Sequence, residues 1–167
     1  MTAGTVVIGL GSPIMGDDGV GLAALAQLRE GWLVDGVEWI DGGTWGMSLL
    51  PAIEDARRLV LVDAIAASKE PGTIVVLERE SLPVYLERKL SPHQVDLRDV
   101  LAVATLRGTL PEETVAIGVQ PHTVELGTTL SPAVEQAVDA LVAAVIARLV
   151  HWGHRCTPMT AGVTCMK

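Results

Sequence analysis

The stretch TVVIGLGSPIMGDDGVG, residues 5–21, passes from an apolar run through a glycine turn to two adjacent carboxylates and into a helical pattern. Thr5, Val6, Val7, Ile8 and Leu10 lack polar alternation, which predicts a strand buried on both faces, as in a parallel sheet. Gly9 and Gly11 allow a tight turn at its carboxyl end. Val20, Leu22, Ala23, Leu25, Ala26 and Leu28 then recur with helical period, so Asp17 and Asp18 fall at or just before a helix start. The positive end of the helix dipole holds such carboxylates ionised, by about 0.3–1 kcal/mol each when exposed. Open α/β sheets bind ligands beyond the carboxyl ends of their strands. One Asp at a helix start is ordinarily a cap. Capping needs only one, and here there are two. A dinucleotide fingerprint would require glycine where Ile14 stands, and the carboxylates would repel a phosphate.

Further along, Val37 to Ile40 reads as a short strand ending in Asp41-Gly42-Gly43-Thr44, a second glycine turn at a strand's carboxyl end. Met47 to Glu54 suits a brief helix with Pro51 in its first turn. Arg58 to Val62 predicts a third strand, terminating in Asp63 at the same sheet edge as Asp18. Only a short turn separates this strand from Thr73 to Leu77, which is therefore expected to pair with it as an antiparallel hairpin at an edge. Ser81 to Lys89 suits one or two helical turns. Ser91-Pro92 marks a helix start, with His93 in the first turn and Leu97, Val100, Leu101 and Ala104 as the apolar stripe. Glu113 to Val119 predicts the last strand, followed by a long connection through Gln120 to Leu130. The final helix opens at Ser131-Pro132 and places Val134, Val138, Leu141, Val142, Val145, Ile146 and Leu149 on one face.

These alternations predict an α/β three-layer sandwich: a five-stranded, mostly parallel twisted sheet with one antiparallel edge strand and helices on both faces. A chain of 167 residues fits one domain, over residues 1–150, with residues 151–167 as a flexible tail. Four Trp, one Tyr and no Phe leave the core to Val, Leu, Ile and Ala. The net charge of −8, without a Lys/Arg cluster, argues against nucleic acid or an anionic membrane as partner. The longest apolar stretch, Ala140 to Val150, is too short to span a bilayer. With no basic amino-terminal leader pattern, the expected compartment is the cytoplasm. Cys156 and Cys165 both lie in the last twelve residues, and their spacing matches no zinc site.

Right-handed crossovers bring the ends of the first and third strands together, and the Ser91 helix start can lie over the same edge. Asp18, Asp63 and His93 then converge. Two carboxylates in a dry cleft raise one another's pKa, and a divalent cation removes the conflict. Imidazole suits nickel and zinc, and carboxylates accept either. No Ser sits in a nucleophile-elbow sequence.

GLGSPIMGDDGVG, DGGTWG, LVDAI with PGT shortly after, KLSPHQ and IGVQPHTVELGTTLSP occur in this order between residues 5 and 150. In these five stretches the chain resembles the hydrogenase maturation endopeptidases, which finish the large subunit of nickel-iron hydrogenases. The resemblance implies a hydrolase, an endopeptidase of aspartyl or metal-dependent type, that recognises nickel in the immature large subunit and removes a C-terminal peptide. It puts nickel contacts and catalysis on Asp18, Asp63 and His93, and implies that the metal arrives with the substrate, with zinc or cadmium able to replace it in vitro. Asp41, Gly42, Gly43, Thr44 and Glu125 match family positions in loops that would meet the substrate. Asp17 is left as a helix cap. Ser12 stands where the family pattern has Asn, and Asp18 where many relatives have Glu, one methylene longer. A non-proteolytic nickel chaperone or sensor of the same fold would use the same three side chains.

Overall fold

A computed structural model describes residues 4–43, 45–87 and 95–160. Strands β1 (Thr5–Leu10), β3 (Val37–Gly43), β4 (Arg58–Ala64), β5 (Ile74–Glu78) and β6 (Glu113–Val119) form one sheet in the order β3-β1-β4-β6-β5. β1 pairs in parallel with β3 and β4, β4 pairs in parallel with β6, and β5 runs antiparallel at the edge. The expected α/β sandwich is what the chain forms.

Because side chains alternate across a strand, the sheet has two separate cores. Val7, Val60, Val62, Val115 and Ile117 face helices α1 (Val20–Gly31) and α5 (Pro132–His151). Val6, Ile8, Leu59, Leu61 and Ala116 face α2 (Leu50–Asp55), α3 (Leu82–Glu87) and α4 (Val95–Leu106). All seven residues read from the sequence as the α5 stripe are buried.

The chain passes from β1 outward to β3 and then back across β1 to β4. The strand order thus reverses between β1 and β4. In open α/β sheets the crevice outside such a reversal is where ligands sit. Two glycines let α1 start against this crevice. Gly11 has φ +107°, and a Cβ there would lie 1.8 Å from the Asp18 carbonyl oxygen. A Cβ at Gly21 would lie 2.2 Å from the Val62 carbonyl oxygen and 2.6 Å from that of Leu10.

Two expectations are corrected. β5 is antiparallel and at the edge, but its partner is β6 and not β4. β4 already has β1 on one side and β6 on the other, so it offers no free edge. The connection from β4 instead wraps the end of β6: Ile65 N–H donates to the Val119 carbonyl, and the Ala67 N–H donates to Gln120 Oε1 at 2.7 Å.

The second correction concerns the segment after α5. As far as residue 160 it does not trail as a free tail: β7 (Cys156–Pro158) pairs antiparallel with β2 (Trp32–Val34). His154 bonds Thr5 Oγ1 through Nε2 at 2.7 Å and the Asp35 carbonyl through Nδ1 at 2.9 Å. The Arg58 and Arg148 guanidiniums lie 5.6 and 5.7 Å from the centre of the Trp152 ring, a favourable cation–π geometry. Cys156 is half-buried and free, and burial pushes its thiol pKa up. Cys165 lies outside the described residues. No helix among the described residues is long and apolar enough to cross a membrane.

Candidate active site

The carboxyl ends of β1, β3, β4 and β6 carry the sequence-derived site. Asp18 lies in a 3-10 turn over Gly16–Gly19 that precedes α1, and is buried. Its Oδ2 accepts the Ser12 backbone N–H at 2.9 Å. Asp63, fully buried in the last turn of β4, sits beside Gly118 of β6. Its Oδ1 accepts the Ala64 N–H at 2.8 Å and its Oδ2 accepts the Tyr85 hydroxyl at 2.6 Å.

Tyr85 ties the two carboxylates into one electrostatic unit. Its pKa is pushed well above the ordinary phenol value by burial first, then by the charge of Asp63 and the hydrogen bond to it, then by the charge of Asp18. The phenol therefore stays a proton donor, and it feels both Asp18 and Asp63. Among the described residues no group of three His, Cys, Asp or Glu gathers to hold a metal. His93 and Thr44 lie outside the described residues.

α4 nonetheless has a direction. Arg107 and Thr109, just beyond its end, bond Glu54 near the end of α2, and β6 begins at Glu113. That end lies by the amino edge of the sheet. Twelve residues rise about 18 Å in a helix, so Val95 stands towards the carboxyl edge.

Asp17 does something the sequence did not suggest. The turn and α1 have no side-chain cap. The Asp17 carboxylate reaches across to the loop after β6 instead. It accepts N–H bonds from His122 at 2.8 Å, Thr123 at 3.1 Å and Ser131 at 2.7 Å, and the Ser131 hydroxyl at 2.8 Å. Three main-chain bonds add to the clasp: Gly16 to Gly127, Asp17 to Thr123, and Gly127 to Ile14. Burial raises the Asp17 pKa, but the three backbone N–H donors and the hydroxyl outweigh it, and the net shift is downward.

A depressed folded-state value means stability that is present above the ordinary value of about 4 and is lost as pH falls through the depressed value. Asp17→Asn is expected to cost on the order of 2–3 kcal/mol at pH 7, since bonds to a charged group are being replaced. Denaturant melts from pH 7 to pH 2 check this, and the gap to the wild-type chain should shrink below about pH 4.

Of the loop candidates, Gly42 is buried, while Asp41 and Glu125 are exposed. Gly43 has φ +40° and accepts the Gly11 N–H at its carbonyl, which joins two rim loops. Around the rim stand four exposed apolar side chains: Ile14, Trp45, Met47 and Leu126, the last 82% exposed. A cavity of about 800 Å³ opens elsewhere, between α3 and α4, lined by Leu82, Leu86, Leu101 and Leu106 but by neither Asp18 nor Asp63.

A family model described as HycI, hydrogenase maturation protease, matches residues 23–148. The chain belongs to the hydrogenase maturation protease family. The hydrogenase 2 maturation protease of Escherichia coli (strain K12) is 34% identical over 158 residues, covering 93% of this chain and 96% of that protein. The hydrogenase expression/formation protein HupD of Rhodobacter capsulatus is 35% identical over 151 residues, covering 89% and 72%. The solved structure of the hydrogenase maturating endopeptidase HybD from E. coli superposes with a TM-score of 0.87 at 33% identity, over 92% of this chain and 96% of that one. The NiFe hydrogenase maturation protease HybD from Thermococcus kodakarensis gives 0.71 at 27% identity, over 86% and 97%. This hydrogenase maturation protease is thus an endopeptidase.

Proposed function

We propose that this protease reads nickel already seated in the precursor of a nickel-iron hydrogenase large subunit and then cuts off the precursor's C-terminal peptide, in the cytoplasm. The observation that carries the reading is the pair of buried carboxylates at the ends of β1 and β4, both acting on one phenol. Each carboxylate oxygen has two lone pairs, so an oxygen that accepts a hydrogen bond from Ser12, Ala64 or Tyr85 can also meet a cation. Two anionic oxygen ligands fit a divalent ion, and the family resemblance puts His93 as the third ligand.

In this reading nickel is part of the substrate. Once seated, it supplies Lewis acidity at the scissile carbonyl and lowers the pKa of a bound water. Asp18 and Asp63 hold the incoming positive charge and fix where the precursor stops. Hydrolysis adds the water oxygen to the carbonyl carbon, breaks the C–N bond, and leaves a new carboxylate on the large subunit and an amine on the released peptide. A precursor without nickel lacks the metal's positive charge, so an acidic end is repelled by the two carboxylates and an apolar end desolvates them without compensation. Asp41, Gly42, Gly43, Thr44 and Glu125 belong to the loops that face the precursor.

Incubation with nickel-loaded and nickel-free precursor tests this. Only the loaded form should be shortened, as read by mass spectrometry. Equal cutting of both forms would remove nickel recognition, and binding without cutting would favour the chaperone or sensor.

The apolar rim supports a protein substrate, because Ile14, Trp45, Met47 and Leu126 offer burial without charge on a chain of net charge −8. Burying one such side chain contributes about 1.5–3 kcal/mol. Leu126→Asp and Trp45→Asp are accordingly expected to raise KM for the precursor by roughly tenfold or more at unchanged kcat. Steady-state processing rates decide it.

A further inference from the structure

We propose that Tyr85 is a positioning residue for the cleavage reaction, holding the Asp63 carboxylate from α3. The inference rests on the reading of Asp63 as a group that meets the substrate's metal. Two bonds define the carboxylate plane, one to each oxygen: Ala64 N–H at 2.8 Å on Oδ1 and Tyr85 O–H at 2.6 Å on Oδ2. The first comes from the next residue along the strand and travels with it. The second comes from a separate helix, 22 residues on, and so ties the carboxylate to an element outside its own strand.

The setting of Tyr85 argues for the hydroxyl rather than the ring. It is 2% exposed and packs in an aliphatic cluster with Leu82, Leu97, Leu101 and Ile65. The chain has no Phe and only this Tyr, so the other buried positions of that core are filled by aliphatic side chains. An apolar side chain would fill the volume without a polar atom to satisfy. A buried phenol is retained at a cost unless its O–H is used, and here it is used on a carboxylate at the ligand-binding edge. Groups that orient a metal-binding side chain typically change affinity or activity by about 10–100-fold when removed.

Tyr85→Phe keeps the ring and deletes the bond. It should lower kcat for nickel-loaded precursor by about 10–100-fold with KM within about twofold of wild type, and weaken Cd²⁺ binding in calorimetry by about tenfold or more. A purely structural tyrosine would lower the melting temperature and leave the Cd²⁺ affinity and kcat of the folded fraction alone. Because the chain has one tyrosine, protein labelled with ¹³C at the tyrosine ζ carbon gives a single signal, and wild-type protein can be read without any substitution. That signal should move on addition of Cd²⁺ or of nickel-loaded precursor. An unmoved signal at saturation overturns the proposal even if the Phe variant does not fold.

Asp63→Ala separates the two levels. If it loses both processing and Cd²⁺ binding while Tyr85→Phe keeps both within about twofold, Tyr85 has no positioning role and the reading of Asp63 stands. If Asp63→Ala processes precursor normally, the reading of Asp63 fails and the proposal goes with it.

Discussion

Alanine at Asp18 or at Asp63 is expected to slow precursor cleavage by at least about 10²–10³-fold, the scale seen when one preorganised charge-stabilising group is removed, while the chain stays folded. Asp18 lies in the turn before α1 and accepts from Ser12, while Asp63 lies near the end of β4 and accepts from Ala64 and Tyr85. Removing one therefore leaves the other in place but halves the negative charge available to a divalent ion. Asp63→Ala also removes the carboxylate that accepts the buried Tyr85 hydroxyl, a loss of about 1–3 kcal/mol. Asp18→Asn and Asp63→Asn keep the shape and an acceptor oxygen, and they isolate the charge. His93→Ala belongs in the same series. Single-turnover cleavage rates alongside thermal melts separate chemistry from stability. Normal cleavage by both Asn variants would show that the charges of the pair are not what the reaction uses.

Gly21→Ala is expected to produce a clear loss of stability. Its Cβ would sit 2.2 Å from the Val62 carbonyl oxygen and 2.6 Å from that of Leu10. Those oxygens belong to the ends of β4 and β1, which are pinned by pairing on both sides, so the helix must give way. Overpacking of this kind costs about 1–3 kcal/mol or more, against a gain of about 1 kcal/mol in helix propensity. Lifting α1 also drags the turn that carries Asp18, so cleavage should fall with stability. Gly31→Ala, at the other end of the same helix with nothing within 4 Å of its Cβ, isolates propensity and should be neutral or slightly stabilising. Denaturant midpoints of the two variants make the comparison.

What could be read from the sequence divides along the range of the forces involved. β1, α1 and α5 announce themselves because their apolar periodicity is local, and the strand-end positions of Asp18 and Asp63 follow from it. Partner choice is non-local. β5 shows its direction through the short turn before it, but nothing in its own residues says that β6, some 40 positions later, will slip in beside β4. β7 was missed for the same reason: three residues carry no period, and the strand exists only because β2, far back in the chain, offers it an edge. Asp17 looked like a cap because helix-start Asp residues usually are; its bonds run more than 100 residues forward. Tyr85 had a weak signal, a lone tyrosine three residues after Leu82 in a segment dominated by charge, and nothing there names Asp63 as its target.

The clasp between the first loop and the late loop has a consequence for how specificity is inherited. Met15 and Gly127 bridge as neighbouring strands do, and Asp17 is bonded to residues 122, 123 and 131 on the far side. Ile14 and Leu126 are thus borne on one wall with two sequence addresses. A chimera that imports only residues 120–131 from another maturation protease would graft half a wall onto a foreign half, and recognition of a different hydrogenase is transferable only when residues 12–17 travel with it.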